Sequence, residues 1–394
     1  MSVGVPYRKR RENEEMKLLP LFIFWGLWFL NFSTRAVFSP LLPLIEDNLS
    51  LSHGEAGGLF TSLAIGYSLI LLISGRFAEI WGYKRTVVSG FIGIGLVFLG
   101  LQWINSYLAF HILFFFLDIA TGTYLTSILP IITETYESRH WGKVLGIHDS
   151  AASLSIFSIP ILVALGLHFL SWRPLLLLLG AASLLLPIYF WKVSVEPKRG
   201  MSRQRSRISD LFKRRTIWII GFLWIFAAAS SLGIYSILPL YLIKERGIDF
   251  DFANTLFGIS RVGGVFVSIF IGFLIDRYGY RFILMFCLVT TGLSTIGLAL
   301  SSTLPMILVT LILQATLSVG FFPAGLAALS NLTPLSERSM AVGVAVSIGM
   351  IIGNGGGPLL LGFIADHFSF QLGIIWLGIL TTLSSMAVGL LGKE

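Results

Sequence analysis

Gly75-Arg76-Phe77-Ala78-Glu79-Ile80-Trp81-Gly82-Tyr83-Lys84-Arg85 is a short charged island between two long apolar runs, and Gly272-Phe273-Leu274-Ile275-Asp276-Arg277-Tyr278-Gly279-Tyr280-Arg281 repeats it. Gly75 pairs with Gly272, Glu79 with Asp276, Gly82 with Gly279 and Lys84 with Arg281, each 197 residues apart, which is half of the 394-residue chain. A fixed offset of half the length marks a tandem duplication. Outward from the islands the match continues. Leu42-Pro43-Leu44 answers Leu238-Pro239-Leu240, Leu59-Phe60 answers Leu256-Phe257, and Pro160 stands where Pro358 falls in the glycine-rich stretch from Gly353 to Gly362.

The residues around the islands cannot make a water-soluble shell. Hydrophobic residues are 55% of the chain and charged ones 12%, against about 25% charged in a typical soluble domain. Apolar runs recur near 20–44, 56–74, 86–103, 107–132, 141–166 and 174–194, then near 216–243, 252–271, 282–302, 304–330, 339–365 and 369–391. Each is long enough to cross a hydrocarbon core of roughly 30 Å as a helix. The expected fold is therefore an all-α polytopic membrane protein, twelve transmembrane helices in two pseudo-symmetric halves of six. The expected division is a tail at 1–19, a first bundle at 20–194, a basic linker at 195–215 and a second bundle at 216–394. The first run is longer than a signal-peptide core and reads as a retained helix.

The net charge of +8 follows topology rather than nucleic-acid binding. Counting by the side each connection faces puts 23 Lys and Arg on the side shared by both termini and three (Arg173, Lys244, Arg246) on the other. Nine of the 23 fall at 192–215, around Met201-Ser202-Arg203-Gln204-Arg205-Ser206-Arg207. The positive-inside rule then expects a multi-pass protein of the cytoplasmic membrane with both termini cytoplasmic. Trp103, Trp141, Trp172 and Trp191 fall where an interfacial belt is expected. The single cysteine, Cys287, excludes an intrachain disulfide.

The pattern Gly-x-x-x-Asp/Glu-x-x-Gly-x-Lys/Arg, present twice, resembles the signature loop of the major facilitator superfamily. The resemblance spans all twelve runs and implies the major facilitator fold, whose parallel six-helix halves rock about a central site. It also implies a conformational switch at Gly75, Glu79, Gly82, Arg85, Gly272, Asp276, Arg277, Gly279 and Arg281. These loops are expected to hold the cytoplasmic side shut in part of the cycle. Glu79 replaces the usual Asp and Ile80 a frequent Arg, so the first copy is expected to latch more weakly.

Ionisable groups at membrane depth are costly and mark function. They are Arg35, Asp118, His148, Asp149 and Arg261, with Asn31, Thr34, Gln314 and Asn354 as polar company. Arg35 aligns with Ser231 and Arg261 with Ala64, so neither arginine belongs to the duplicated scaffold. Asn31-Phe32-Ser33-Thr34-Arg35-Ala36, followed by Leu42-Pro43, resembles the first helix of the anion:cation symporters, with Thr34 in place of an Asp. An arginine in the eighth run is similar to the carboxylate-binding one of the monocarboxylate and oxalate carriers. Guanidinium suits carboxylate, nitrate or phosphate oxygens. Arg261, Arg35, Asn31, Gln314 and Asn354 are thus the expected substrate contacts. Asp118, Asp149 and His148 are the expected proton carriers, since buried carboxylates and histidines titrate within reach of neutral pH. Arg35 paired with Asp118 is the competing, purely structural arrangement.

Adjacent helical positions point about 100° apart, so His148 and Asp149 cannot both face one cavity. Many members of the family carry an arginine where Asp118 stands. Of the glycine-rich fifth-helix pattern of drug/proton antiporters only Pro160 remains, which weakens an export reading. No Walker loop, zinc-ligand spacing or nucleophile elbow is present. The expectation is a secondary transporter, not an enzyme, without metal or cofactor. It works as a monomer in the bilayer, moving a small organic or inorganic anion, with proton symport the leading mode and a drug or metabolite/proton antiporter the alternative.

Overall fold

The computed structural model describes residues 18–197, 214–334 and 337–392, all helices and their connections, with no strand among them. The basic tail at 8–11 and the stretch at 201–207 lie outside these residues. Eleven helices among the described residues are long and apolar enough to span a membrane. In chain order they are α1 Leu18–Leu49, α2 His53–Trp81, α3 Tyr83–Gly100, α4 Tyr107–Thr135, α5 Trp141–Leu167, α6 Trp172–Val193, α7 Arg215–Glu245, α9 Tyr280–Leu300, α10 Leu304–Leu332, α11 Met340–His367 and α12 Phe370–Leu390. The remaining expected run is not continuous. It forms α8a, Phe250–Ile259, and α8b, Val262–Tyr278, with Ser260 and Arg261 in a turn between them.

Local chemistry sets these boundaries. Ser52 and Glu55 make a reciprocal capping box that starts α2. Asp249 accepts from the amides of Asp251 and Phe252 to start α8a. Within α1, Pro40 has no N–H to give to Ala36, and the ladder is loose there: Leu41 N–H reaches the Val37 carbonyl at 3.4 Å, and Val37 itself stands between two helical pieces.

The two charged islands are not loops. Helix α2 runs on through Gly75 to Trp81, and α3 begins at Tyr83, so Gly82 alone separates them. Gly82 has φ +114° and Gly279 has φ +78°, and L side chains rarely adopt such angles. One glycine in each copy turns the chain between helices that project past the apolar region. Of the tryptophans expected in an interfacial belt, Trp103, Trp141 and Trp191 are exposed. Trp172 departs from it, buried with its ring 6.4 Å from Phe110. The outward faces carry exposed Phe22, Leu96, Phe116, Phe266, Phe273 and Leu360, the surface a lipid-facing helix presents.

The halves meet at the face opposite the islands. There α2 and α11 touch backbone to backbone, because a Cβ on Gly57 would lie 2.2 Å from the Pro358 carbonyl oxygen and one on Gly362 2.1 Å from that of His53. The ends of α1 and α7 join through Ser39, whose hydroxyl donates to the Tyr235 carbonyl at 2.5 Å, and through Lys244 and Asp47 at 2.5 Å. Asp47 and Lys244 thus join the two halves at this end. On the island face, a Cβ at Gly75, Gly142, Gly146 or Gly272 would meet nothing within 4 Å. The close backbone contacts between the halves thus lie at the far face, while these island-face glycines pack against nothing.

The first island is docked onto the chain that follows α6. Glu196, just past α6, accepts from the amides of Tyr83 at 2.7 Å and Lys84 at 3.0 Å, while Lys84 Nζ donates to the carbonyls of Trp191 and Ser194 at 2.9 and 2.8 Å. A carboxylate on two free helix-start amides is favourable by about 1 kcal/mol. Glu196→Ala is expected to lower stability by about that much, read as a reduced melting temperature in detergent, with the helical circular dichroism unchanged.

Candidate functional site

Both membrane-depth arginines sit at helix interruptions. Arg35 lies in the last turn before the Val37 break of α1, and Arg261 occupies the turn between α8a and α8b. The second interruption has a local cause. Ser260 Oγ donates to the Phe257 carbonyl at 2.7 Å and Arg261 N–H turns back to Gly258 at 3.0 Å, tightening the turn away from the α ladder.

The Arg261 side chain is 8% exposed. Its guanidinium carbon stands 4.8 Å from the Tyr235 ring centroid and 5.2 Å from that of Phe257. Its Nε and Nη2 have no hydrogen-bond partner, and among the described residues no carboxylate pairs with it. A buried cation held by two rings, with donors unfilled, is an arrangement that calls for a partner.

Arg35 is differently placed. Its Nε is 3.8 Å from Asp118 Oδ1, and its guanidinium lies 4.9 Å from the Phe32 ring and 4.8 Å from the Tyr67 ring. Asp118 is 3% exposed and also accepts from Thr121 Oγ1 at 2.8 Å. One turn beyond Arg35, Ser39 binds the carbonyl of Tyr235, the residue whose ring carries Arg261. The two arginines therefore flank one contact between the halves.

The other expected residues separate by environment. Asn31 and Gln314 are turned into their own bundles: Asn31 donates to the Thr121 carbonyl at 3.0 Å, joining α1 to α4, and Gln314 to the Ser230 carbonyl at 2.5 Å, joining α10 to α7. Each keeps one amide oxygen without a partner. His148 is a buried helix contact, its ring stacked 5.4 Å from Trp28 and 5.9 Å from Tyr124 and its Nε2 3.1 Å from the Tyr124 hydroxyl. Asp149 is exposed and accepts from Trp28 Nε1 at 3.4 Å. Asn354 is half-buried where α11 widens into π-helical turns at Gly349–Gly355. Glu79, Arg85, Asp276 and Arg281 form no ion pair among the described residues. Arg277 and Arg281 lie over Tyr278 and Tyr280 at 5.4 and 6.0 Å.

Composition and spacing did not single out Tyr67, Tyr235 and Phe257, the rings beneath the arginines. Phe257 was within reach, four residues before Arg261 in the same apolar run. Among the described residues no group of three or more His, Cys, Asp or Glu could hold a metal.

The family described as Major Facilitator Superfamily matches residues 24–267 and, again, 222–393. The chain belongs to the major facilitator superfamily. It is a transporter, not an enzyme, and a multi-pass membrane protein. Relatives include an uncharacterized MFS-type transporter, YuxJ, of Bacillus subtilis, 27% identical over 88% of this chain and 92% of its own length. A probable sulfoacetate transporter of Cupriavidus necator is 27% identical over 64% of this chain and 63% of its own. The cis,cis-muconate transport protein of Acinetobacter baylyi is 22% identical over 94% and 93%. Among solved structures, an inward-facing, unoccupied bacterial homologue of the human lysosomal transporter Spinster superposes with a TM-score of 0.81 at 16% identity, over 95% of this chain and 97% of that one. That likeness speaks for the fold.

Proposed function

We propose that this facilitator carries a small anion, organic rather than inorganic, by alternating access in the cytoplasmic membrane, together with a proton. The observation that carries the reading is Arg261, a buried guanidinium with unfilled donors and no carboxylate partner. Relatives named for sulfoacetate and for cis,cis-muconate support the substrate class. In this reading the island face is cytoplasmic, both termini lie there, and the site lies between the two halves of a single chain, with Asn354 beside it.

Proton coupling follows from the Arg35–Asp118 pair. Asp118 and the substrate compete for one guanidinium. A proton on Asp118 releases Arg35 to the anion, and an anion on Arg35 favours the proton on Asp118, so proton and anion bind with mutual assistance. Asp149, exposed next to the Trp28 indole, is the group through which the proton leaves toward the island face.

Ligand-induced stabilisation tests the substrate class, since a ligand that binds only the folded state raises the transition with concentration. Carboxylates and sulfonates are expected to raise the melting temperature of the purified protein and to leave Arg261→Ala unmoved. Lipophilic cations that stabilise both proteins, with no response to anions, would replace the anion reading with drug export.

A further inference from the structure

The far face contains a charge cluster built from both halves. Glu46, near the end of α1, is 5% exposed and accepts from His53 Nδ1 at 2.9 Å. His53 opens α2, with its ring 5.0 Å from that of Phe370 at the start of α12. Asp366, at the end of α11, accepts from the amides of His53 and Gly54, both at 2.8 Å. From α7, Lys244 comes in against Asp47 at 2.5 Å. On α2 itself Glu55 is engaged by the amide of Ser52 at 2.9 Å. From α4, Tyr107 and His111 face α2 further along, at Gly58 and Ser62. At the other flank His168, after α5, pairs with Asp251 of α8a at 3.0 Å, both exposed.

Closure brings two acids onto one residue: Asp366 of one half meets the amide of His53, whose ring holds Glu46 of the other. Lys244 arrives too, but Asp47 answers its charge. The free amides at the start of α2 compensate Asp366 in part. His53 is the titratable residue that meets both acids, Glu46 through Nδ1 and Asp366 through its amide.

We propose that His53 is a proton-binding site at which proton uptake closes the far face. In the closed state a proton on the imidazole is shared between Glu46, through Nδ1, and the Asp366 carboxylate bound to the same residue's amide. When the far face opens, Asp366 leaves with α11 and the imidazolium keeps Glu46 alone. The proton binds the closed state more tightly, and by reciprocity it favours closure. A histidine makes that exchange near neutral pH. The exposed His168–Asp251 pair adds little, as exposed pairs do. The inference concerns the gate and does not depend on which substrate is carried.

The test reads the gate directly. Nitroxide labels on Ser106→Cys and Thr303→Cys, exposed positions in the far-face connections of the two halves, are placed in a Cys287→Ala background of the full chain in lipid nanodiscs. Their separation is measured by double electron–electron resonance at about pH 8 and about pH 5.5, the range over which histidine titrates. The ratio of closed to open far face is expected to rise about fivefold on acidification. His53→Gln, which keeps a donor toward Glu46, and Asp366→Asn are each expected to abolish the rise. His168→Gln, His111→Gln and Asp118→Asn are expected to retain it. A pH-independent wild type, or a rise that survives in both His53→Gln and Asp366→Asn, overturns the assignment. Loss of the rise in Asp118→Asn alone moves the proton to the substrate site and overturns it equally.

Discussion

Arg261→Ala is expected to reduce anion uptake into proteoliposomes by about 100-fold or more, because two charge-assisted hydrogen bonds in a desolvated site contribute roughly 3 kcal/mol or above. The guanidinium is the only buried cation among the described residues without a carboxylate, and Arg35 reaches the anion only once Asp118 has released it. Arg261→Lys is expected to restore little of the loss. Its ammonium is a compact point charge, more strongly hydrated and lacking the planar fork that spans two oxygens and stands over the Tyr235 and Phe257 rings. The control is stability. A lone buried guanidinium is a liability to the fold, so Arg261→Ala should melt no lower than the wild type. A fall in melting temperature of similar size to the fall in transport would make Arg261 structural.

The second large effect is expected at Asp118. Asp118→Asn leaves Arg35 charged beside Phe32 and Tyr67 without its carboxylate, and breaking a buried pair from one side costs about 3–5 kcal/mol. The melting temperature should fall accordingly. The double variant Asp118→Asn/Arg35→Gln should recover most of the loss, since removing both charges removes the desolvation penalty with the attraction. Transport separates coupling from architecture. Wild-type uptake should rise as external pH falls, because protonation of Asp118 frees Arg35. Asp118→Asn, permanently neutral there, should keep a residual uptake that lacks this rise and shows only the response left by the far-face gate. Uptake in Asp118→Asn that tracks pH as the wild type does would confine the pair to a structural role.

Much of the architecture was legible in the residues. Two islands half the chain apart disclosed the duplication, and the length of the apolar runs located the helices. Arg35 and Arg261 stood out because each lacks a counterpart in the other half. What could not be read depends on distance along the chain or on geometry. The islands looked like loops because they are charged, yet α2 stays helical through Gly75–Trp81; helices can carry charge once they leave the bilayer, and only Gly82 had to depart from helical angles. The break at Ser260 and Arg261 has no proline to announce it; it rests on a side-chain hydrogen bond and a backward amide. Asn31 and Gln314 were expected at the substrate because they are polar at the right depth. Depth does not say which way a side chain faces, and both face their own bundle. The far-face cluster drew its members from positions 46, 53, 244 and 366, so only the fold could assemble it.

Uptake by proteoliposomes tests the central claim most directly. The protein is reconstituted, an inward proton gradient is imposed, and entry of a labelled small carboxylate or sulfonate is followed beside that of a labelled lipophilic cation. Saturable anion entry that collapses with the gradient, is accelerated by unlabelled anion on the far side and is lost in Arg261→Ala is the predicted result. Cation movement coupled to the gradient, with no anion entry and no effect of Arg261→Ala, would contradict the account.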